Sequence, residues 1–201
     1  MASEQWLVIE KVIQVFDALG VPYYIGGSVA SGRYGLPRMT RDVDFIAALH
    51  ENQAAAFVNA LQSEFYVDDL AVRRAIRSQR SFNLIHLATI WKVDIFIPAD
   101  TPWASVKMER RAWHALDDTT DAPQAFLSSA EDVVLQKLFW YQKGGGLSDQ
   151  QWRDVQGVLR VQDKLLDQAY LQHWAQALGL RELLSRALDE AGMVWAADAE
   201  G

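Results

Sequence analysis

The chain has 201 residues, 50% of them hydrophobic and 11% aromatic, with a formal net charge of -7 and no cysteine. A core of ordinary size is therefore available, and disulfide frameworks, thiolate metal sites and cysteine nucleophiles are excluded. The negative balance opposes non-specific coating of nucleic acid, and no run approaches the roughly twenty apolar residues of a membrane span.

Residues 4 to 19 place Leu7, Ile9, Val12, Ile13, Phe16 and Leu19 near helical spacing, and Gly20 with Pro22 supplies the stop. Glu4 and Glu10 stand where a secretory signal needs a basic start, so the expectation is a soluble cytoplasmic protein. A short strand over 22 to 25 then runs into Gly26, Gly27 and Ser28, with Ser28 placed to cap a helix through about residue 34. The alternation in DVDFIA predicts a strand over 42 to 47, followed by a helix over 52 to 61. SFNLIHLA and WKVDIFIP read as two strands joined as a hairpin through Thr89 and Ile90. From Ser128 onward every apolar pattern is helical: a first helix starting at serine and stopped by Lys143 and three glycines, then helices over about 148 to 162, 167 to 178 and 181 to 191. The tryptophans of this half, Trp140, Trp152, Trp174 and Trp195, are expected in its core. The plan is an α/β domain over 1–122 and a helical domain over 123–201, with 196–201 frayed.

Side chains two apart on a strand share a face, so Asp42 and Asp44 present both carboxylates together while Val43 and Phe45 turn inward. Like charges that close repel unless a cation lies between them. Hard divalent ions such as Mg²⁺ take oxygen ligands of this kind together with substrate phosphates. Asp94, flanked by Val93 and Ile95, is a third carboxylate in an otherwise apolar strand, and its charge requires a compensating partner. Backbone N–H groups in a Gly-Gly-Ser turn before a helix suit phosphate oxygens. Taken singly, the Asp pair is most often a solvated strand end and the glycine turn a simple cap. Their order, with Arg38 and Arg41 between them, joins them into one candidate site. No GxxxxGK[ST] or GxGxxG is present, and the four histidines show no HExxH or close pair. Arg73, Arg74, Arg77 and Arg80 form the one dense basic run, read either as a solvated face or as a docking patch.

These motifs resemble the signature of the nucleotidyltransferase (polymerase β-like) superfamily, and within it the bacterial AbiEii-like and MenT-like proteins. The resemblance runs over about residues 20 to 160 and takes in Glu131-Asp132, Lys137 and Arg153-Asp154. Such proteins often carry a further aspartate one turn on, where this chain has Gly157. The resemblance implies an α+β fold, a mixed β-sheet with flanking helices followed by a C-terminal helical bundle. It also implies a nucleotidyltransferase enzyme: Asp42, Asp44 and Asp94 as catalytic ligands of Mg²⁺ or Mn²⁺, and Gly26, Gly27, Ser28, Arg38, Arg41, Lys137 and Asp154 as nucleotide-binding residues. The acceptor it points to is RNA, docked by the 73 to 80 arginines, in a toxin-type enzyme with an antitoxin partner. A small-molecule acceptor of the aminoglycoside kind and a non-catalytic nucleotide-binding or partner-binding scaffold are the alternatives.

Overall fold

The computed structural model describes residues 4–40, 42–116, 123–193 and 195. The chain divides into two compact units, Met1–Val29 with Met39–Ser128, and Ala30–Arg38 with Ser129–Gly201. No helix among the described residues is long and apolar enough to cross a membrane.

Among the described residues the first unit has seven strands: β1 (Tyr23–Ile25), β2 (Asp42–Ala47), β3 (Phe65–Tyr66), β4 (Ser81–His86), β5 (Lys92–Phe96), β6 (Ala112–Ala115) and β7 (Gln124–Leu127). They form one mixed sheet in the order β3-β4-β5-β2-β1-β7-β6. Period-two alternation drives the layering: Val43, Phe45 and Ala47 of β2 are buried, as are Val93 and Ile95 of β5, and the residues between them turn to the other face. Onto the buried face pack α1 (Glu4–Ala18), through Val8, Ile9, Val12, Ile13 and Phe16, and α3 (Ala54–Leu61), through Phe57, Val58 and Leu61. Phe16 stacks on Tyr23 at 5.4 Å and on Phe57 at 5.6 Å between ring centroids. Each such buried ring contributes about 1.5–3 kcal/mol of transfer energy.

The predicted hairpin is present, with β4 antiparallel to β5 and Ile90 in its turn at φ +59. Arg73, Arg74 and Arg77 of the arginine run lie on α4 (Asp69–Ser78), which Asp68 caps by accepting from the Leu70 and Ala71 N–H groups, and Arg80 follows the helix end. Another helix, α5 (Pro102–Arg110), starts on a Thr101 cap with proline in its first turn. One local reading is corrected. Ser28, expected to precede its helix, lies inside it, because α2 (Gly27–Tyr34) begins at Gly27, one residue after β1 ends.

The second unit contains α6 (Ala130–Lys143), α7 (Asp149–Gln162), α8 (Gln168–Ala177) and α9 (Arg181–Ala191), the helical bundle the sequence predicts. The starts of α6, α7 and α8 are capped by Ser129, Ser148 and Asp167. Residues 35 and 36 pass against the α7 backbone so closely that a Cβ on Gly35 would lie 2.8 Å from the Val158 nitrogen. A Cβ on Gly157 would lie 3.4 Å from the Leu36 nitrogen, an ordinary van der Waals contact, so of the two glycines at this crossing it is Gly35 that the close approach requires. Among the four tryptophans expected in this core, Trp195 is buried but Trp140 is 51% exposed. The buried residues of α6 all fall between Ala130 and Leu138, and Trp140 lies beyond them. The residues expected to fray, 196–201, lie outside the described residues.

Candidate active site

β2 and β5 are parallel, and their register sets Asp44 beside Asp94 and Asp42 beside Lys92. Residues paired in register share a face, so all three carboxylates and the Lys92 ammonium occupy the side of the sheet opposite the Phe45 and Ile95 core. Asp42 is exposed, whereas Asp44 and Asp94 are partly buried. Thr40 donates its hydroxyl to Asp42 Oδ1 at 2.6 Å. The compensating charge that Asp94 requires is Lys92, whose Nζ donates to Asp94 Oδ2 at 2.7 Å. Among the described residues, no three His, Cys, Asp or Glu side chains close on one point tightly enough to hold a metal ion. The acids form a row along one face.

The glycine turn meets this row through Gly26 and Gly27. The Gly26 N–H donates to the Asp44 carbonyl at 2.9 Å, so that group is already used within the sheet. Gly27 has φ +54, and a Cβ there would overlap the Asp44 carboxylate, its carboxyl carbon lying 2.7 Å away. Replacing Gly27 with alanine is expected to cost about 1–2 kcal/mol from the left-handed backbone alone. Because the new methyl also displaces Asp44, nucleotidyl transfer should fall by more than about tenfold, the equivalent of ~1.4 kcal/mol in the barrier. Thermal unfolding read beside a transfer assay separates the two effects.

In the second unit, Lys137 and Asp154 form an ion pair of 2.6 Å with their side chains only 8% and 9% exposed. Asp154 also accepts from the Ser31 hydroxyl at 3.4 Å and lies 3.5 Å from Arg38 Nε. Lys137 is thus a buried side chain rather than a surface lysine, and Ser31 is a member of this cluster that sequence reading missed. At the start of α6, Asp132 accepts from the Tyr170 hydroxyl at 2.6 Å and from Ser129 at 2.9 Å, and Glu131 accepts from the Asp167 N–H at 2.9 Å. Tyr34 is pushed up to about 12 by burial, reinforced by the charge of Glu131, and so stays protonated.

The expected site residues therefore fall into two groups, each described within its own unit: Gly26, Gly27, Ser28, Asp42, Asp44 and Asp94 in the first, and Arg38, Lys137 and Asp154 in the second. Arg41 lies outside the described residues. Of the basic run, Arg73 is engaged by Asp69 and Glu51, both at 2.9 Å, while Arg74, Arg77 and Arg80 are exposed. Arg153 is exposed and donates to the Asp149 carbonyl.

No family model and no curated protein matches the sequence. Solved structures do match, over nearly the whole chain. The crystal structure of ANT(2")-Ia in complex with adenylyl-2"-tobramycin is 13% identical and covers 90% of this chain and 99% of its own, with a TM-score of 0.57. That of an antigenic nucleotidyltransferase-like protein from Paracoccidioides brasiliensis is 19% identical, covers 98% and 97%, and has a TM-score of 0.53. The chain has the nucleotidyltransferase fold. Within that fold, the strands β2 and β5 carry the acid row and the β1–α2 turn carries the glycines.

Proposed function

We propose that the protein is an enzyme that transfers a nucleoside monophosphate from a nucleoside triphosphate to an acceptor hydroxyl and releases pyrophosphate. The observation that carries this reading is the register of β2 and β5, which lines up Asp42, Asp44 and Asp94 on one sheet face beside a glycine too close to Asp44 for any side chain. Structural carboxylates have no reason to gather where they repel one another.

In the reaction, the acceptor oxygen attacks the α-phosphorus, the bond to the bridging oxygen breaks, and pyrophosphate leaves with that electron pair. The acceptor proton passes to the carboxylate row. The donor set is all hard oxygen, which fits Mg²⁺ or Mn²⁺; carboxylates of the row Asp42, Asp44 and Asp94, completed by phosphate oxygens, would hold the ion, which when bound would supply neutralising charge for the triphosphate. Gly27 and Ser28 offer backbone N–H groups to phosphate, and Arg38, Arg41 and Lys137 supply positive charge, with Asp154 holding Lys137 and Arg38 in place.

Two acceptor classes have specific support. A small cationic acceptor suits the net charge of -7 and matches what is bound in the ANT(2")-Ia structure, an adenylylated tobramycin. An RNA acceptor, with the toxin-type role and antitoxin partner implied by the AbiEii-like and MenT-like resemblance, draws on the exposed Arg74, Arg77 and Arg80. Incubation with each labelled nucleoside triphosphate, Mg²⁺ or Mn²⁺, and either total RNA or an aminoglycoside panel tests the proposal by which acceptor becomes labelled. An RNA enzyme is expected to lose affinity for RNA steeply with salt, by about tenfold or more between 50 and 200 mM if several phosphates are contacted. Triphosphate binding with no labelled acceptor of either class would instead indicate a non-catalytic scaffold.

A further inference from the structure

The face that carries the acid row also carries a cation belonging to the chain. Lys92 is register-paired with Asp42, lies diagonally across from Asp44 on the same face, and donates to Asp94 at 2.7 Å. Its side chain is 46% exposed, against 18% for Asp94, so it reaches in from solvent and is free to swing out again. Nothing in the core requires a lysine there; the buried residues of β5 are Val93 and Ile95.

We infer that Lys92 is a positioning residue, a resident counter-ion that holds Asp94 until a divalent ion displaces it, and so sets the metal concentration at which the row becomes loaded. The inference rests on the metal-binding reading of Asp42, Asp44 and Asp94. Its physics is competition between cations. With Lys92 on Asp94, an incoming ion must displace the ammonium before it gains that carboxylate. Without Lys92 the Asp94 charge is available to a divalent ion directly. A role in mere strand pairing predicts no such linkage to metal, because the Lys92 side chain contributes nothing to the ladder hydrogen bonds.

The test is Mn²⁺ binding to the full chain without nucleotide, read from the loss of the free-Mn²⁺ electron paramagnetic resonance signal. Lys92→Gln is expected to bind Mn²⁺ about fivefold more tightly than the native chain, the scale of a partly exposed ion pair. Lys92→Arg keeps the charge and should bind as the native chain does. The gain should vanish when Asp94→Asn is added, since the competition is for that carboxylate. Equal or weaker binding by Lys92→Gln, or a gain that persists with Asp94→Asn, overturns the inference. Failure of the underlying reading looks different, because Asp42→Asn and Asp44→Asn would then leave Mn²⁺ binding unchanged. Lysine ammonium resonances of the native chain give a second readout that needs no variant. Saturating Mg²⁺ should release the Lys92 signal into fast solvent exchange, and an unmoved signal in a chain that binds Mg²⁺ overturns the inference.

Discussion

Asp44→Asn is expected to lower kcat/KM for nucleotidyl transfer by on the order of 10³ or more, equivalent to about 4 kcal/mol of transition-state stabilisation. Asp44 is the centre of the row: Asp42 lies two residues along its own strand, Asp94 lies across the register, and Gly27 lies against its carboxylate. The backbone at this point is secured independently of the side chain, because the Asp44 carbonyl accepts from the Gly26 N–H and β2 is bonded on both sides, to β1 and β5. Asparagine keeps the shape and removes the charge, so the fold should survive. The change in unfolding free energy should stay within about 1 kcal/mol, since a charge that repels its neighbours is lost along with whatever it attracts. Transfer from labelled triphosphate, measured beside a thermal melt, checks both halves. A folded Asp44→Asn variant that still transfers at the native rate would remove the acid row from the reaction.

The acid row was legible in the sequence only in part, and the reason is geometric. Alternation along DVDFIA is enough to put Asp42 and Asp44 on one face, because a strand's side-chain period is two and the apolar partners mark the buried side. Asp94 could be recognised as a charge out of place among Val93 and Ile95, but the pairing of β5 with β2 is a parallel contact between distant segments, and local pattern carries no information on that register. For the same reason Lys92 reads as an ordinary strand-end lysine until the register sets it beside Asp42. The short strands β3, β6 and β7 escaped because two to four residues are too few to show a period. In the helical unit the helices were readable from their periodicity and their serine and aspartate starts. The burial of Lys137 was not, since it follows from how α6 and α7 pack together. Gly35 likewise looks like an interruption of no consequence until it is seen lying on the α7 backbone.

The largest effect on stability is expected from Asp154→Ala, about 3–5 kcal/mol, because it leaves the Lys137 ammonium in a site only 8% exposed with its carboxylate partner gone. The other two groups on Asp154 do not set this cost. Arg38 is 30% exposed and can return to solvent, and the Ser31 hydroxyl stands at 3.4 Å, a weak contact. Denaturant unfolding should show Lys137→Met/Asp154→Leu to be markedly more stable than Asp154→Ala, since removing both charges removes the desolvation penalty that the single change exposes. If the double variant is no more stable than Asp154→Ala, the pair is not what the single change breaks. The same double variant distinguishes why the chain keeps a buried ion pair at all. A pair that only joins α6 to α7 can be exchanged for apolar side chains with transfer intact. A lysine held by Asp154 for the triphosphate cannot, and then the folded double variant should show a raised KM for the nucleoside triphosphate, by about tenfold or more for one lost charge-assisted contact worth ~1.5–3 kcal/mol.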